Sequence, residues 1–467
     1  MPGGFSSGFS GGFGGEITAG SPPISAYSSA YSSAFGGVAP PDPPESPPGG
    51  FAGQLNFHVE IAFSSVQNPD AWALGVSPFP TTLADPTTYV WSDVTPYCVG
   101  ISVTRGKSKE LDPYSVGRLS LRLRNQTRMF DPLNLAGPYV SGGVTQIKPG
   151  KPVRVRVTDP AGSVLYYLFR GTIKDWDLDY GADYEAFTVA LASDAIADLL
   201  AGVNLTTPAG TAGPAISAIL ADAGIGALAI DVGNTPVQAM TFTGTAGQAA
   251  RVLEQTEQGH LYSDAEGGIS FRGRQSLAVN PRSSTPQLSF GGGAAGLPYE
   301  KLGIAYESDA IKNKARVTRT GGVLQEAVNA ASVAAYGERL IALTGMASAT
   351  DTDALDLATY LVGFRGEPVV RFTEITFASD GAAGSLSAAL STRLLDRLRV
   401  WFMPPGATAE FYQDVIVIGI THTWSPPAVM KTTFRFMPTD AVPSAVWFLG
   451  VGELGDTTGP TATVLTY

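Results

Sequence analysis

The stretch 91–139, WSDVTPYCVGISVTRGKSKELDPYSVGRLSLRLRNQTRMFDPLNLAGPY, decides how this chain is read. Val99, Ile101 and Val103 alternate with small or polar residues, and further on Leu119, Leu121 and Leu123 do the same. A period of two marks a strand with one buried face, so the stretch predicts two half-buried strands joined by a charged, glycine-containing connection. Arg118, Arg122 and Arg124 stand opposite the leucines. That basic row predicts a solvated or subunit-contacting face able to pair with acids on a neighbour. Nothing in the stretch has the makings of a catalytic centre.

The pattern extends on both sides. Residues 56–64 (NFHVEIAFS) place Phe57, Val59, Ile61 and Phe63 on one face, and residues 153–157, 165–169 and 187–191 continue the series until a helical turn at 194–200. Residues 51–200 are therefore expected to form a first β-barrel or small sandwich. The character then changes. Residues 214–223 (PAISAILADA) predict an amphipathic helix stopped by Gly224, and 246–259 a second with Ala249, Val252, Leu253 and Thr256 at helical spacing. Strands at 261–263 and 269–272 follow, joined by a turn at 264–268. Residues 201–290 thus read as a compact α+β insertion.

A second β region is expected over 291–440. Residues 313–320 alternate, 350–364 predict a helix capped by Thr350 or Asp351 with acids in its first turn, and strands are predicted at 369–377, 394–401, 413–424 and 431–436. Residues 441–467 remain as a C-terminal extension. The first fifty residues are a unit of Gly, Ser, Ala and Pro in which Phe5, Phe9 and Phe13 recur every fourth position, as do Tyr27, Tyr31 and Phe35. Such a segment cannot build a core alone, and its composition fits either a disordered arm or one that lays its rings into grooves on neighbouring subunits. The spacing favours docking, with the proline cluster at 40–48 as an extended spacer.

Composition bounds the rest. At 467 residues the chain is too long for one ordinary core. Charged residues make up only 15%, against 55 Gly and 34 Pro, a balance suited to turn-rich β architecture and broad protein contacts. A net charge of -11 argues against a protein that grips phosphate backbones. The single cysteine, Cys98, lies in an apolar strand and reads as a small core residue. No apolar run is long enough to span a bilayer, and no secretory signal opens the chain.

These motifs, in this order, resemble the minor tail proteins of long-tailed bacteriophages, the tail-hub or baseplate-hub family. In the opening barrel the resemblance rests on Trp91 to Thr95, Arg105-Gly106, Glu110 to Asp112, Gly117 to Asn125, Phe130 to Asn134 and Pro138-Tyr139. In the insertion it rests on Glu257 to Gly259, Tyr262 to Gly267 and Phe271 to Arg274. Asn313 to Gly322, Tyr336-Gly337, Gly366 to Pro368 and Gly419 to His422 carry it through the second β region. It implies an α+β, β-rich chain with two tube-like β-barrels and an inserted α+β domain. By the same resemblance the chain is a structural virion protein at the distal end of the tail, made in the host cytoplasm. Its implied partners are two further copies in a homotrimer, the distal tail or tail-tube protein, the tape-measure protein and other minor tail proteins. DNA would pass through without specific binding.

An enzyme reading, such as a hub carrying cell-wall hydrolase activity, needs residues that do not assemble in the sequence. His58, His260 and His422 have no partner at metal-ligand spacing and no Gly-x-Ser-x-Gly beside them. No catalytic, cofactor-binding or metal role is assigned. Residues 175–183 offer a weak calcium-loop reading, with Gly seventh and Ala186 where a bidentate Glu is needed. The alternation of Trp176, Leu178 and Tyr180 predicts instead a strand with an acidic outer face, and Asp175, Asp177 and Asp179 are its candidate channel-lining row. A receptor- or glycan-binding tip protein is the remaining alternative, but no repeated unit is visible past residue 50.

Overall fold

The computed structural model describes residues 55–67, 87–110, 112–181, 185–292, 296–306, 310–363, 365–380, 382–407, 410–425 and 429–439. The fold is α+β and rich in strands. Thirteen strands make one sheet. The first region gives β1 (Asn56–Gln67), β2 (Thr87–Asp93), β3 (Cys98–Gly106), β4 (Ser115–Arg124), β5 (Pro152–Thr158), β6 (Val164–Tyr180) and β7 (Ala186–Ser193). The last gives β8 (Pro286–Phe290), β9 (Lys301–Ala305), β10 (Arg371–Ala378), β11 (Arg397–Phe402), β12 (Phe411–Trp424) and β13 (Lys431–Pro438). Hydrogen-bonded neighbours run β9-β10-β13-β12-β3-β4-β7-β6-β5-β1-β2, with β11 linking β8 to β12 off this path.

Alternation explains most of these strands. In β4 the leucines at 119, 121 and 123 are buried while Arg118, Arg122 and Arg124 are exposed. β12 differs, because Val415, Ile416, Val417 and Ile418 are consecutive and all fully buried. A run without alternation means cover on both faces, and this strand is the joint of the molecule. Its first half pairs with β11, its second half with β3, and β13 lies along its other edge. Strands far apart in sequence thereby share one ladder and one apolar core, from Val59 and Phe169 to Phe377 and Phe434.

Glycine makes the joint possible. Gly106 sits at φ +97, a conformation that L side chains rarely adopt, and a Cβ there would lie 2.2 Å from the Ile418 carbonyl oxygen. Gly419, its partner across the ladder, would put a Cβ 2.6 Å from the Lys107 carbonyl oxygen.

Two smaller modules stand outside the sheet. In the first, α1 (Ala212–Asp222) and α2 (Ala246–Glu257) pack over a three-stranded sheet of Ala227–Ile230, His260–Ser263 and Ile269–Arg272. Thr245 and Gln248 close a capping box at the start of α2. Leu253, Leu261, Ile269 and Phe271 lie in its separate core. The second module was not separated in the sequence reading and falls inside the expected 291–440 barrel. Its strands Lys314–Arg319, Gln325–Val328 and Leu340–Met346 are covered by α3 (Asp351–Gly363), burying Ala315, Val317, Leu357 and Leu361. Thr350 is the cap of α3, since its hydroxyl accepts from Asp353 N–H and the Asp353 carboxylate accepts from Thr350 N–H. The modules join through a Val237–Ser348 bridge and the Gln238 N–H donated to the Ala347 carbonyl at 2.8 Å.

Candidate interaction faces

The acidic row lies where alternation put it. Asp175, Asp177 and Asp179 are exposed on β6, Trp176 and Leu178 are half-buried on the opposite side, and an irregularity between Ile173 and Asp175 sets the phase. The row has company, however. Across β7, Asp177 is level with Val189 and then Arg122, and Asp179 with Phe187 and then Arg124. Two strand spacings are about 10 Å, so an arginine row runs parallel to the acids at that distance. Arg122 reaches over the Phe187 ring at 4.1 Å and comes within 3.6 Å of Asp179. The face is therefore balanced rather than acidic. Farther along it, Thr104, Thr421, Thr433 and Thr376 stand in one line across β3, β12, β13 and β10, an uncharged row linked by hydroxyl contacts of 3.4 Å (Thr421 to Thr104) and 2.9 Å (Thr376 to Thr433).

A second feature is the loop after β4. Asp131, only 3% exposed, accepts from the Leu133 N–H at 2.8 Å, Arg128 Nε at 2.8 Å and the Tyr180 hydroxyl at 3.0 Å. Burial pushes this carboxyl up, and the three donors outweigh it and hold it below its ordinary range. Asn134 fixes the other arm by donating to the Arg128 carbonyl at 2.9 Å, while Arg128 itself sits at φ 56. The cage holds Leu133 and Leu135 in solvent at 76% and 62% exposure. Sequence reading marked this Phe-Asp-Pro-x-Asn motif without showing what it builds.

The third feature ties the regions together. Glu110, in the β3–β4 connection, accepts from Arg365 at 3.0 Å and Arg371 at 2.6 Å, linking the first region to the end of the second module and to β10. Lys107 donates to the Glu110 carbonyl at 2.7 Å and lies 4.9 Å over the Tyr114 ring, and burial pushes its ammonium down to about 8. Glu254 of α2 accepts from Arg251 and from the Leu261 N–H. A cavity of about 150 Å³ lies among Lys107, Glu110, Glu254, His260, Arg274 and Arg365. Several residues of the resemblance thus have scaffold roles. Thr95 accepts from the Val59 N–H at 2.8 Å, Arg154 covers Trp91 at 4.1 Å, and Asn125 accepts from the Phe130 N–H at 2.9 Å.

The histidines are dispersed. His58 contacts Asp93 and Thr158, His260 is buried edge-on to Tyr114, and His422 is buried against Thr432. Among the described residues, no three His, Cys, Asp or Glu side chains gather as a metal-holding group. Cys98 is buried, and burial raises its thiol to about 11. Phe5, Phe9, Phe13, Tyr27, Tyr31 and Phe35 lie outside the described residues, as does the extension 441–467.

No family model matches the chain, and no curated protein does. Solved structures do. The tail protein from Neisseria meningitidis MC58 aligns with a TM-score of 0.50 at 13% identity, covering 83% of this chain and 99% of that one. The 43 kDa tail protein of prophage MuSo2 from Shewanella oneidensis gives 0.47 at 16% identity over 76% and 96%. The prophage tail protein gp18 from Listeria monocytogenes EGD-e gives 0.42 at 9% identity over 74% and 91%. At such identities the Neisseria likeness is one of fold.

Proposed function

We propose that this chain is a structural protein of a bacteriophage tail, a hub at the distal tip that joins the tail tube to the tip proteins and lines or closes the DNA channel. The observation that carries this reading is the ladder through β12, which makes one sheet of two regions and, together with its modules, shares its fold with a tail protein along nearly all of that protein's length. Two β regions per chain suit a threefold ring that mates with a sixfold tube. The ring passes the symmetry of the tube to the tip, and its work is mechanical rather than chemical.

The sheet face suits a channel wall. Its hydroxyl row is uncharged, and Arg122 and Arg124 are level with Asp177 and Asp179 two strands away, so it offers no dense cationic track to hold phosphates. The proposed partners are two further copies, the distal tail or tail-tube protein, the tape-measure protein and other minor tail proteins. Docking of the residue 1–50 aromatics into grooves on such neighbours belongs to the same proposal. Antibody labelling of purified tails tests the placement: label confined to the distal tip supports it, and label on the head, along the tube or absent from tails contradicts it.

A further inference from the structure

β1 and β2 continue past the sheet. β5 pairs with β1 only between Asn56 and Ile61, and the Lys151 ammonium, 2.6 Å from the Phe63 carbonyl oxygen, stands where that ladder would go on. Beyond it, Ser64 to Gln67 pair with Val90 to Thr87 and with nothing else among the described residues. A two-stranded ribbon is marginal in water by itself. This one shows Tyr89 and Val90 at 37% and 44% exposure, and its β2 strand carries a single charge, Asp93 at its far end, in place of the charges and prolines that guard natural sheet edges.

A second free edge lies at the other end of the same ladder. Among the described residues β9 pairs only with β10, and Ile304 and the adjoining Tyr306 are 42% and 67% exposed. Its lysine, Lys301, is tied back to Glu374 at 2.6 Å. Among the described residues, the sheet thus ends on two unlike, unpaired edges, each showing exposed apolar side chains.

We propose that the β1–β2 ribbon of one copy adds to the free edge of β9 on a second copy of this chain, so that the ladder passes from copy to copy around a closed ring. The inference rests on the threefold reading above and deepens it. Two different edges make a heterologous contact, and such a contact leaves no unsatisfied end only when it closes on itself. Main-chain hydrogen bonds supply the attraction, and the exposed Tyr89, Val90, Ile304 and Tyr306 supply apolar burial. Each copy then gives one edge and receives one.

Native mass measurement on the full chain tests this. The wild-type protein is expected as three copies. A Tyr89→Lys/Val90→Lys variant and an Ile304→Lys/Tyr306→Lys variant are each expected as single copies with unchanged far-UV circular dichroism. Mixed one to one, they are expected to give a two-copy species, because each supplies the intact edge that the other lacks. If either double variant assembles like the wild type, the edge pairing is overturned while the threefold reading stands. A mixture that stays single overturns the head-to-tail arrangement, and a wild-type chain that stays single overturns both.

Discussion

Where β3 meets β12, backbone lies against backbone beside a fully buried apolar run; where the small modules meet the sheet, the contact runs through charges. At the first junction Gly106 and Gly419 let the strands approach, and Val415 to Ile418 are fully buried. At the second, Glu110 holds Arg365 and Arg371 with all three side chains at about a tenth exposed, and Tyr114 and Tyr262 supply the aromatic contact. The difference teaches that one chain joins its two β regions by close backbone packing and its modules by buried ion pairs. A close-packed junction has no room for an added atom, whereas a buried ion cluster is most sensitive to the loss of one partner, which leaves the other charges uncompensated.

The largest effect is expected at the wall. Gly106→Ala forces a Cβ against the Ile418 carbonyl and a side chain into a left-handed conformation, so a loss of about 3–5 kcal/mol is expected in urea unfolding. A loss below about 1 kcal/mol would break the claim that this approach is what joins the two regions. Next comes the charged tie. Glu110→Ala leaves two guanidinium groups without their carboxylate, at a cost of about 3 kcal/mol. Hydrogen exchange should accelerate in α2 and α3 while β4 and β12 stay protected; uniform acceleration would mean that modules and sheet are one cooperative unit.

The third effect is one of pH at the joint. Burial, then the charge of neighbouring Arg105, pushes His422 down to about 3, so between its ordinary 6.5 and about 3 only the unfolded chain takes the proton. Stability therefore falls as pH falls through that window. Asp194, pushed up to about 6 by burial, acts oppositely: the folded chain takes its proton first, and stability rises as pH falls from about 6 to its ordinary 3.8. His422→Asn should gain about 2 kcal/mol relative to wild type at pH 5 and leave the Asp194 trend together with that of His260, which burial also pushes well below its ordinary value. A melting temperature that follows the wild-type pH profile would show that His422 contributes nothing to the acid sensitivity and leave it to His260.

Smallest in stability is the acidic row. Replacing Asp175, Asp177 and Asp179 together by Asn should move stability by less than about 0.5 kcal/mol, since the Arg122–Asp179 pair is exposed and 3.6 Å apart. It leaves the arginine row unbalanced, so slower DNA release from triggered virions is expected. Release at the wild-type rate would remove this face from the channel.

Alternation made most of the fold legible. The leucine face of β4 and the strands at 153–157 and 187–191 follow from residue period, and the hairpin after α2 follows from its turn at 264–268, since its strands do not alternate. The second module did not, because Ala330–Tyr336 is a short helix and Leu340–Met346 alternates only weakly, with Gly345 near its end. β2 was missed as well, since its meaning depends on pairing with β1. The Asp and Arg rows were each visible, yet their adjacency was not, because it is set by β7 running between them. Glu110 stood in a recognisable motif, whereas its partners Arg365 and Arg371 lie far along the chain, and only the fold brings them together.

A reconstruction of intact tail tips at side-chain resolution tests the central claim most directly. The account predicts three copies of this chain about the tail axis at the distal end of the tube, each placing both of its β regions in one ring with the Asp175, Asp177 and Asp179 face toward the channel. Six copies in a true sixfold ring, a single copy, or no density for the chain in the tail would contradict it.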